Sequence, residues 1–301
     1  MKIETSILDK HGEFIGGLTR GSFRVTDNGA EQPIAFFAPV EAPAQVLVML
    51  ETSPAVYLIH NEHLAAAYAL LDDLAPDDQV ALVTYDVKPR SVLAFTSDKS
   101  AVLAALGQAQ YTIGMGDLNF YDSLSTVLDW IAPVAGKKAI VVLTTGLDSS
   151  PAARWDALAQ KLRGEDVVIF SVALGGALRG EPPEKSKRKK SAPSAAASEG
   201  GTPARSSSAA EFAKADGALR SLATITGGRA YFPQSDRDFA PIYHEIATAL
   251  RHQYVLGIAP AHDNQYHALG VEVLGSQPDT KHAKRPEYRV FARAGYLAPG
   301  P

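Results

Sequence analysis

The chain has 301 residues, 46% of them hydrophobic, with 29 Lys and Arg against 33 Asp and Glu. That length suits about two domains around a sizeable core, and a formal net charge of −4 gives no argument for a nucleic-acid partner. The complete lack of cysteine excludes disulfides, thiolate metal sites and cysteine nucleophiles.

No apolar run approaches the roughly 20 residues that span a bilayer. The opening Met1-Lys2-Ile3-Glu4-Thr5-Ser6 lacks the apolar core of a signal peptide. Residues 1–40 read as β. Ser6-Ile7-Leu8 and Phe14-Ile15 flank a turn at Asp9-Lys10-His11-Gly12, and Phe23-Arg24-Val25 and Ile34-Ala35-Phe36-Phe37 flank Asp27-Asn28-Gly29, a tight-hairpin signal. The expectation is one small antiparallel unit of four strands.

From about residue 44 strands and helices alternate. Val46-Leu47-Val48-Met49-Leu50 is too short an apolar run for a typical helix and reads as a strand buried on both faces. Leu64, Tyr68 and Leu71 stripe the next helix, Gln79 to Tyr85 is a strand, and Ser91 to Phe95 suits an antiparallel neighbour. A short helix over Val102 to Leu106 and a stripe at Leu124, Leu128 and Ile131 precede a second apolar strand, Ala139-Ile140-Val141-Val142-Leu143. Trp155, Leu158 and Leu162 stripe a helix before the strand Val167 to Val172; Leu219 and Leu222 lie on one that Gly227-Gly228 caps. After the short strand Arg229 to Phe232, the last stripe is Phe239, Ile242, Ile246 and Leu250. This alternation calls for a mostly parallel sheet with helices on both faces. Residues 252–298 return to β.

The chain is thus read as α/β: a doubly wound, Rossmann-like sheet over 43–251, inserted between segments 1–42 and 252–298 that together form a small β-sandwich. Residues 177–211 fit neither layer. They are rich in Ala, Ser, Pro and Gly, carry seven Lys or Arg against four Asp or Glu, and include Lys185-Ser186-Lys187-Arg188-Lys189-Lys190. Without apolar periodicity the segment is expected to be disordered, a solvated insertion rather than a lipid or nucleic-acid anchor.

Two apolar strands ending in polar Ser/Thr loops, with a third loop before a helix, resemble the von Willebrand factor type A fold. The likeness extends to von Willebrand type A-related proteins of the acidobacterial type. Ser6 to Thr19, Phe23-Arg24-Val25 and Gln32-Pro33-Ile34 resemble that family's N-terminal signature. Leu222-Ala223-Thr224-Ile225-Thr226-Gly227-Gly228-Arg229-Ala230-Tyr231-Phe232-Pro233 resembles its late one, as do Leu250 to Gly257 and Arg293-Ala294-Gly295-Tyr296. The resemblance implies export, hence an extracytoplasmic (periplasmic or secreted) protein whose leader has been removed. It also implies a metal-ion-dependent adhesion site on three loops: Asp-x-Ser-x-Ser, a Thr and an Asp.

Position by position the ligands depart from that pattern. Glu51 stands for the first Asp, its extra methylene expected to disturb the loop; Ser53 keeps one hydroxyl, and Ala55 lacks the second. Leu118 falls at the Thr and Thr145 at the last Asp. Mg²⁺ needs near-octahedral oxygens and carboxylate charge, so the expectation is a degenerate site with no metal and no cofactor. Were a divalent cation to bind, Glu51, Ser53, Asp117 and Asp148 are its remaining oxygen donors.

Other chemistry is weaker. His60 and His63 lack a third zinc ligand at recognisable spacing. Ser53 sits in no Gly-x-Ser-x-Gly elbow, and no phosphate-binding glycine loop follows the first central strand. Tyr57, Phe120 and Tyr121 suit either an apolar rim or the core. The expected function is non-enzymatic: a protein-interaction or adhesion module binding an envelope or protein partner through Glu51, Thr52, Ser53, Asp117, Leu118, Asn119, Thr145 and Asp148. The alternatives are a working cation-dependent adhesion domain and, from another class, a hydrolase using Glu51 and Asp117 in the same crevice.

Overall fold

A computed structural model describes residues 1–57, 60–112, 117–149, 152–179, 204–274 and 288–300. The first four strands are β1 (Lys2–Leu8), β2 (Phe23–Asp27), β3 (Ala30–Gln32) and β4 (Phe36–Glu41). β2 and β3 form the hairpin that Asn28-Gly29 signals: both residues adopt positive φ, 48° and 81°, matching the twist of the paired strands.

The middle of the chain builds a six-stranded sheet from β5 (Ala44–Glu51), β6 (Gln79–Tyr85), β7 (Pro89–Thr96), β8 (Lys137–Thr144), β9 (Val168–Ala173) and β10 (Ala230–Tyr231). Its order is β10-β9-β8-β5-β6-β7, parallel except for β7, which runs antiparallel to β6. Eight helices are described with it: α1 (Pro54–Tyr57), α2 (His60–Asp73), α3 (Lys99–Gly107), α4 (Phe120–Ile131), α5 (Ala152–Gly164), α6 (Gly176–Arg179), α7 (Ala204–Thr226) and α8 (Phe239–Arg251). Val46, Val48 and Leu50 of β5 pack with α2, α3 and α8, while Leu47 and Met49 pack with α4, α5 and α7 on the opposite face. Period-2 alternation of an all-apolar strand therefore fills two cores at once, each fully buried side chain contributing about 1.5–3 kcal/mol. Because β5 pairs with β6 on one side and β8 on the other, the sheet's winding reverses beside it, and a crevice opens at its carboxyl end.

The insertion is narrower than expected. Residues 204–211, predicted to be disordered, form the first turns of α7. Ala-rich sequence has high helix propensity, and a helix anchored further on by Phe212, Ala215, Leu219 and Leu222 extends back through it at little cost. Gly176–Arg179 is likewise a helical turn. Residues 180–203, with the basic run, lie outside the described residues.

The chain ends in β11 (His252–Gly257), β12 (Tyr266–Val273), β13 (Arg289–Ala292) and β14 (Gly295–Leu297). The expected four-stranded N-terminal unit is not formed. β1 and β4 flank β11 in the sheet β13-β1-β11-β4, while β2 and β3 belong to β14-β12-β2-β3. Each sheet thus needs both chain ends, because the N-terminal strands alone offer too little apolar area to close a core. Ile3, Ile7, Phe23, Val25 and Leu256 fill the space between the sheets around Tyr254, whose ring lies 5.3, 5.2 and 5.6 Å from those of Phe14, Phe23 and Phe37. The Tyr254 hydroxyl is not wasted in this core; it donates to the Ile15 carbonyl at 2.7 Å.

The late signature joins the two layers. Gly227 has φ 85°, and a Cβ on Gly228 would lie 2.0 Å from the Ile169 carbonyl oxygen, so only glycine lets α7 turn this tightly onto β9. Nearby, buried Glu245 of α8 accepts from Arg229, Tyr231 and Arg289, tying α8, β10 and β13 together.

Candidate functional site

Three strands end side by side at the crevice: β5 in Glu51, β6 in Tyr85 and β8 in Thr144. Each is followed by a backbone that leaves the sheet, so their terminal polar groups converge. All three residues are fully buried, and burial there is tolerable only if every polar group finds a partner.

Glu51 is where they find it. Its Oε1 accepts from Ser53 Oγ at 2.6 Å and Thr145 Oγ1 at 3.0 Å. Its Oε2 accepts from Thr145 N at 2.7 Å, Thr144 Oγ1 at 2.8 Å and the same Thr145 Oγ1 hydrogen at 2.9 Å, and the Tyr85 hydroxyl oxygen lies 3.3 Å away. Since Thr144 gives its proton to Glu51, Tyr85 must donate to Thr144 Oγ1, 2.6 Å away, and that oxygen also accepts from Gly146 N. Burial and the adjacent Glu51 charge push the Tyr85 phenol well above its usual pKa, which keeps it a donor. The extra methylene of Glu51 carries its carboxylate across to Thr144 and Thr145 on the neighbouring strand end.

This arrangement bears on the cation that the fold family implies. A hard cation needs oxygen lone pairs directed at it. Here the hydroxyls of Ser53, Thr144 and Thr145 and the amide of Thr145 direct hydrogens inward at a carboxylate. With a single carboxylate, already the acceptor of the fixed Thr145 amide, and with Glu51, Ser53 and Thr145 all without open surface, the donor set does not fit Mg²⁺. Among the described residues no group of three or more His, Cys, Asp or Glu is placed to hold a metal ion.

Around this plug the surface is built by the loops. Thr52 donates its amide to the Tyr85 carbonyl, and its own carbonyl accepts from Thr112 N at 2.9 Å. The second loop joins the third: Leu118 N donates to Ser149 Oγ at 3.1 Å, and Asp148 Oδ2 accepts from Tyr121 N at 2.8 Å at the start of α4. Asn119 Nδ2 donates to the Val87 carbonyl. Of the residues singled out in the sequence, Glu51, Thr52, Ser53, Leu118 and Thr145 are buried, Asn119 and Asp148 are half-buried, and Asp117 is exposed. Glu51 and Asp117 thus occupy different environments and do not form an acidic pair. Phe120 and Tyr121 are core residues, while the side chains of Tyr57, His60 and His63, and that of Ala55, lie outside the described residues.

Sequence reasoning missed Tyr85, which read only as a strand end, Thr144, which read only as part of the polar loop after Leu143, and a second network beside them. Asp86, directly after β6, accepts from Arg90 Nη2 and Thr112 Oγ1, both at 2.7 Å. Burial alone would raise its pKa, but hydrogen bonds from Arg90, Thr112 and the Val87 amide outweigh it and hold the carboxyl at about 2. An Asp-x-x-x-Arg spacing at a strand exit was the available signal.

A family model for the von Willebrand factor type A domain matches residues 47–199. Among solved structures, the conserved hypothetical protein BatB from Bacteroides thetaiotaomicron is 19% identical, the match covering 69% of this chain and 98% of that one with a TM-score of 0.45. An aerotolerance-related membrane protein from Bacteroides fragilis is 15% identical, covering 68% and 98%, with a TM-score of 0.46. A von Willebrand factor type A protein from Catenulispora acidiphila is 12% identical over 96% of this chain and 72% of that one, with a TM-score of 0.47. The search of curated proteins gives no match.

Proposed function

The chain belongs to the von Willebrand factor type A domain family, and from that premise we propose that it is a metal-independent, non-enzymatic binding module for a protein or envelope partner. The observation that carries this reading is the buried Glu51 carboxylate and the hydrogens aimed at it. They make the strand-end crevice a closed support rather than an open coordination site. Contact with the partner falls to the rim above it, where Asp117, Asn119, Leu147, Asp148 and Ser149 retain accessible surface. Glu51, Thr52, Ser53 and Thr145 act from beneath, fixing the loops that present these residues, and Leu118 anchors the second loop in the core. A carboxylate without accessible surface is also poorly placed as a general base, which speaks against a hydrolase. The export implied by the terminal signatures sets such a module in the envelope or outside the cell.

Two measurements test the proposal. Calorimetric titration of the full chain with Mg²⁺, Mn²⁺ and Ca²⁺ is expected to give no binding heat; heat that saturates in the millimolar range and vanishes in Glu51→Ala overturns the metal-independent reading. Selection of displayed peptides in EDTA is expected to yield binders that Asp117→Arg weakens. Binders that appear only with added cation, or that ignore Asp117→Arg, refute the assignment of the rim.

A further inference from the structure

Beside the rim, between β7 and residues 108–112, an open cleft of about 530 Å³ is lined by Ser91, Gln108, Gln110, Tyr111 and Thr112 together with Arg90. Among the described residues lining it, only Arg90 carries a formal charge. Asp86 does not line the cleft but fixes this guanidinium through Nη2 alone, at 2.7 Å, and Nη2 also lies 3.5 Å from Thr52 Oγ1. The Nε and Nη1 hydrogens have no partner among the described residues. The Arg90 side chain remains 44% exposed, whereas that of Asp86 is 8% exposed. The ion pair is lopsided: its anion is buried and accepts from Arg90, Thr112 and the Val87 amide, and its cation faces solvent in a cleft otherwise lined by uncharged residues.

We propose that this cleft binds the carboxylate of an aspartate or glutamate on an extended segment of a protein partner. One free guanidinium edge balances the single charge of a carboxylate through charge-assisted hydrogen bonds, while the hydroxyl and amide groups of Ser91, Gln108 and Gln110 satisfy its remaining lone pairs. A phosphate dianion would bring a second charge towards Asp86 with no cation to meet it. The strand beside the cleft suits a peptide. Among the described residues β7 lies at the sheet edge and pairs with β6 alone, which leaves its other backbone edge to strand addition. Val87 and Val92, 51% and 41% exposed, offer apolar contacts on either side of Arg90. The net charge of −4 makes a local cationic cleft a selective feature of this surface. The inference rests on the reading of the strand-end face as a binding surface, to which Arg90 is joined through Thr52.

The test uses the full chain and a fluorescein-labelled, end-blocked peptide of alternating Val and Asp, compared with its Val and Asn counterpart by fluorescence anisotropy. The Asp peptide is expected to bind about tenfold more tightly. Arg90→Ala is expected to abolish that preference. Gln110→Glu, at an exposed position that leaves the Asp86 network intact, is expected to weaken the Asp peptide several-fold, which keeps the test decisive if Arg90→Ala misfolds. Equal binding of the two peptides, indifference to both substitutions, or displacement by millimolar inorganic phosphate overturns the carboxylate assignment. Asp117→Arg separates the two readings. If EDTA-selected peptides bind and respond to it while the Asp peptide does not bind, the cleft fails and the rim stands. If neither class of peptide binds, both fall.

Discussion

Substitution of Glu51 has a rank order that runs against side-chain similarity. Glu51→Ala removes the acceptor for Thr144 Oγ1, Thr145 N and Thr145 Oγ1, all fully buried. At about 1 kcal/mol for each stranded donor, the low end of the range because water can enter the vacated space, the loss is about 3 kcal/mol. Glu51→Gln places an amide oxygen at the Oε2 position, keeping Thr144 and Thr145 N but without charge assistance, for a loss of about 1–2 kcal/mol. Glu51→Asp withdraws the carboxylate by about one bond length, ~1.5 Å, so contacts at 2.7–2.9 Å open beyond hydrogen-bond range and an under-paired charge stays buried. Its loss is about 3–5 kcal/mol, the largest of the three. Urea unfolding followed by the fluorescence of Trp130 and Trp155, both on helices of the α/β layer, gives the midpoints. An Asp variant as stable as the parent chain would refute the argument that the extra methylene serves to reach Thr144 and Thr145.

Thr145→Asp sets a second carboxylate against Glu51; it should lower the melting temperature, and added Mg²⁺ should raise it again, whereas the parent chain should not respond. A parent that responds equally refutes the donor-set argument. Asp86, held at about 2 against the usual 3.8, contributes about 2 kcal/mol that is fully present above pH 4 and lost as pH falls through 2; Asp86→Asn should flatten stability in that window. His267 is raised by hydrogen bonds to Asp27 and then Asp263, so its contribution is complete below about pH 6.5 and declines as pH rises through the folded-state value; unfolding midpoints of His267→Gln from pH 6 to 9 should lack that decline. Gly228→Ala forces a Cβ to 2.0 Å from the Ile169 carbonyl oxygen and should destabilise by more than 2 kcal/mol in the same urea assay, with a neutral result showing that α7 can shift off β9.

Much of the fold is legible because its signals are local. Five apolar residues from Val46 to Leu50 suit only a strand covered on both faces, and Asn28-Gly29 supplies the positive φ of a two-residue hairpin. The pairing of β1 with β11 and of β2 with β12 joins residues about 250 positions apart, and periodicity within a segment contains nothing about such partners. The ends of the insertion were misread for a related reason: the Ala-Ser composition of residues 204–211 is compatible with disorder until Phe212 and Leu219 are buried and hold the helix in place.

The candidate site divides in the same way. The sequence alone determined its position, at the loop after β5, and its departures from the family's ligands: Glu51, Ala55, Leu118 and Thr145 can be read one by one. What Glu51 does was decided only by tertiary structure. Whether a longer carboxylate intrudes on a loop or bridges to the next strand depends on the register of β5 against β8 and on where Thr144, Thr145 and Tyr85 end up in space. Those residues meet because parallel strands end together at a reversal of the sheet's winding, and in a buried site their hydrogens had to be aimed at an acceptor.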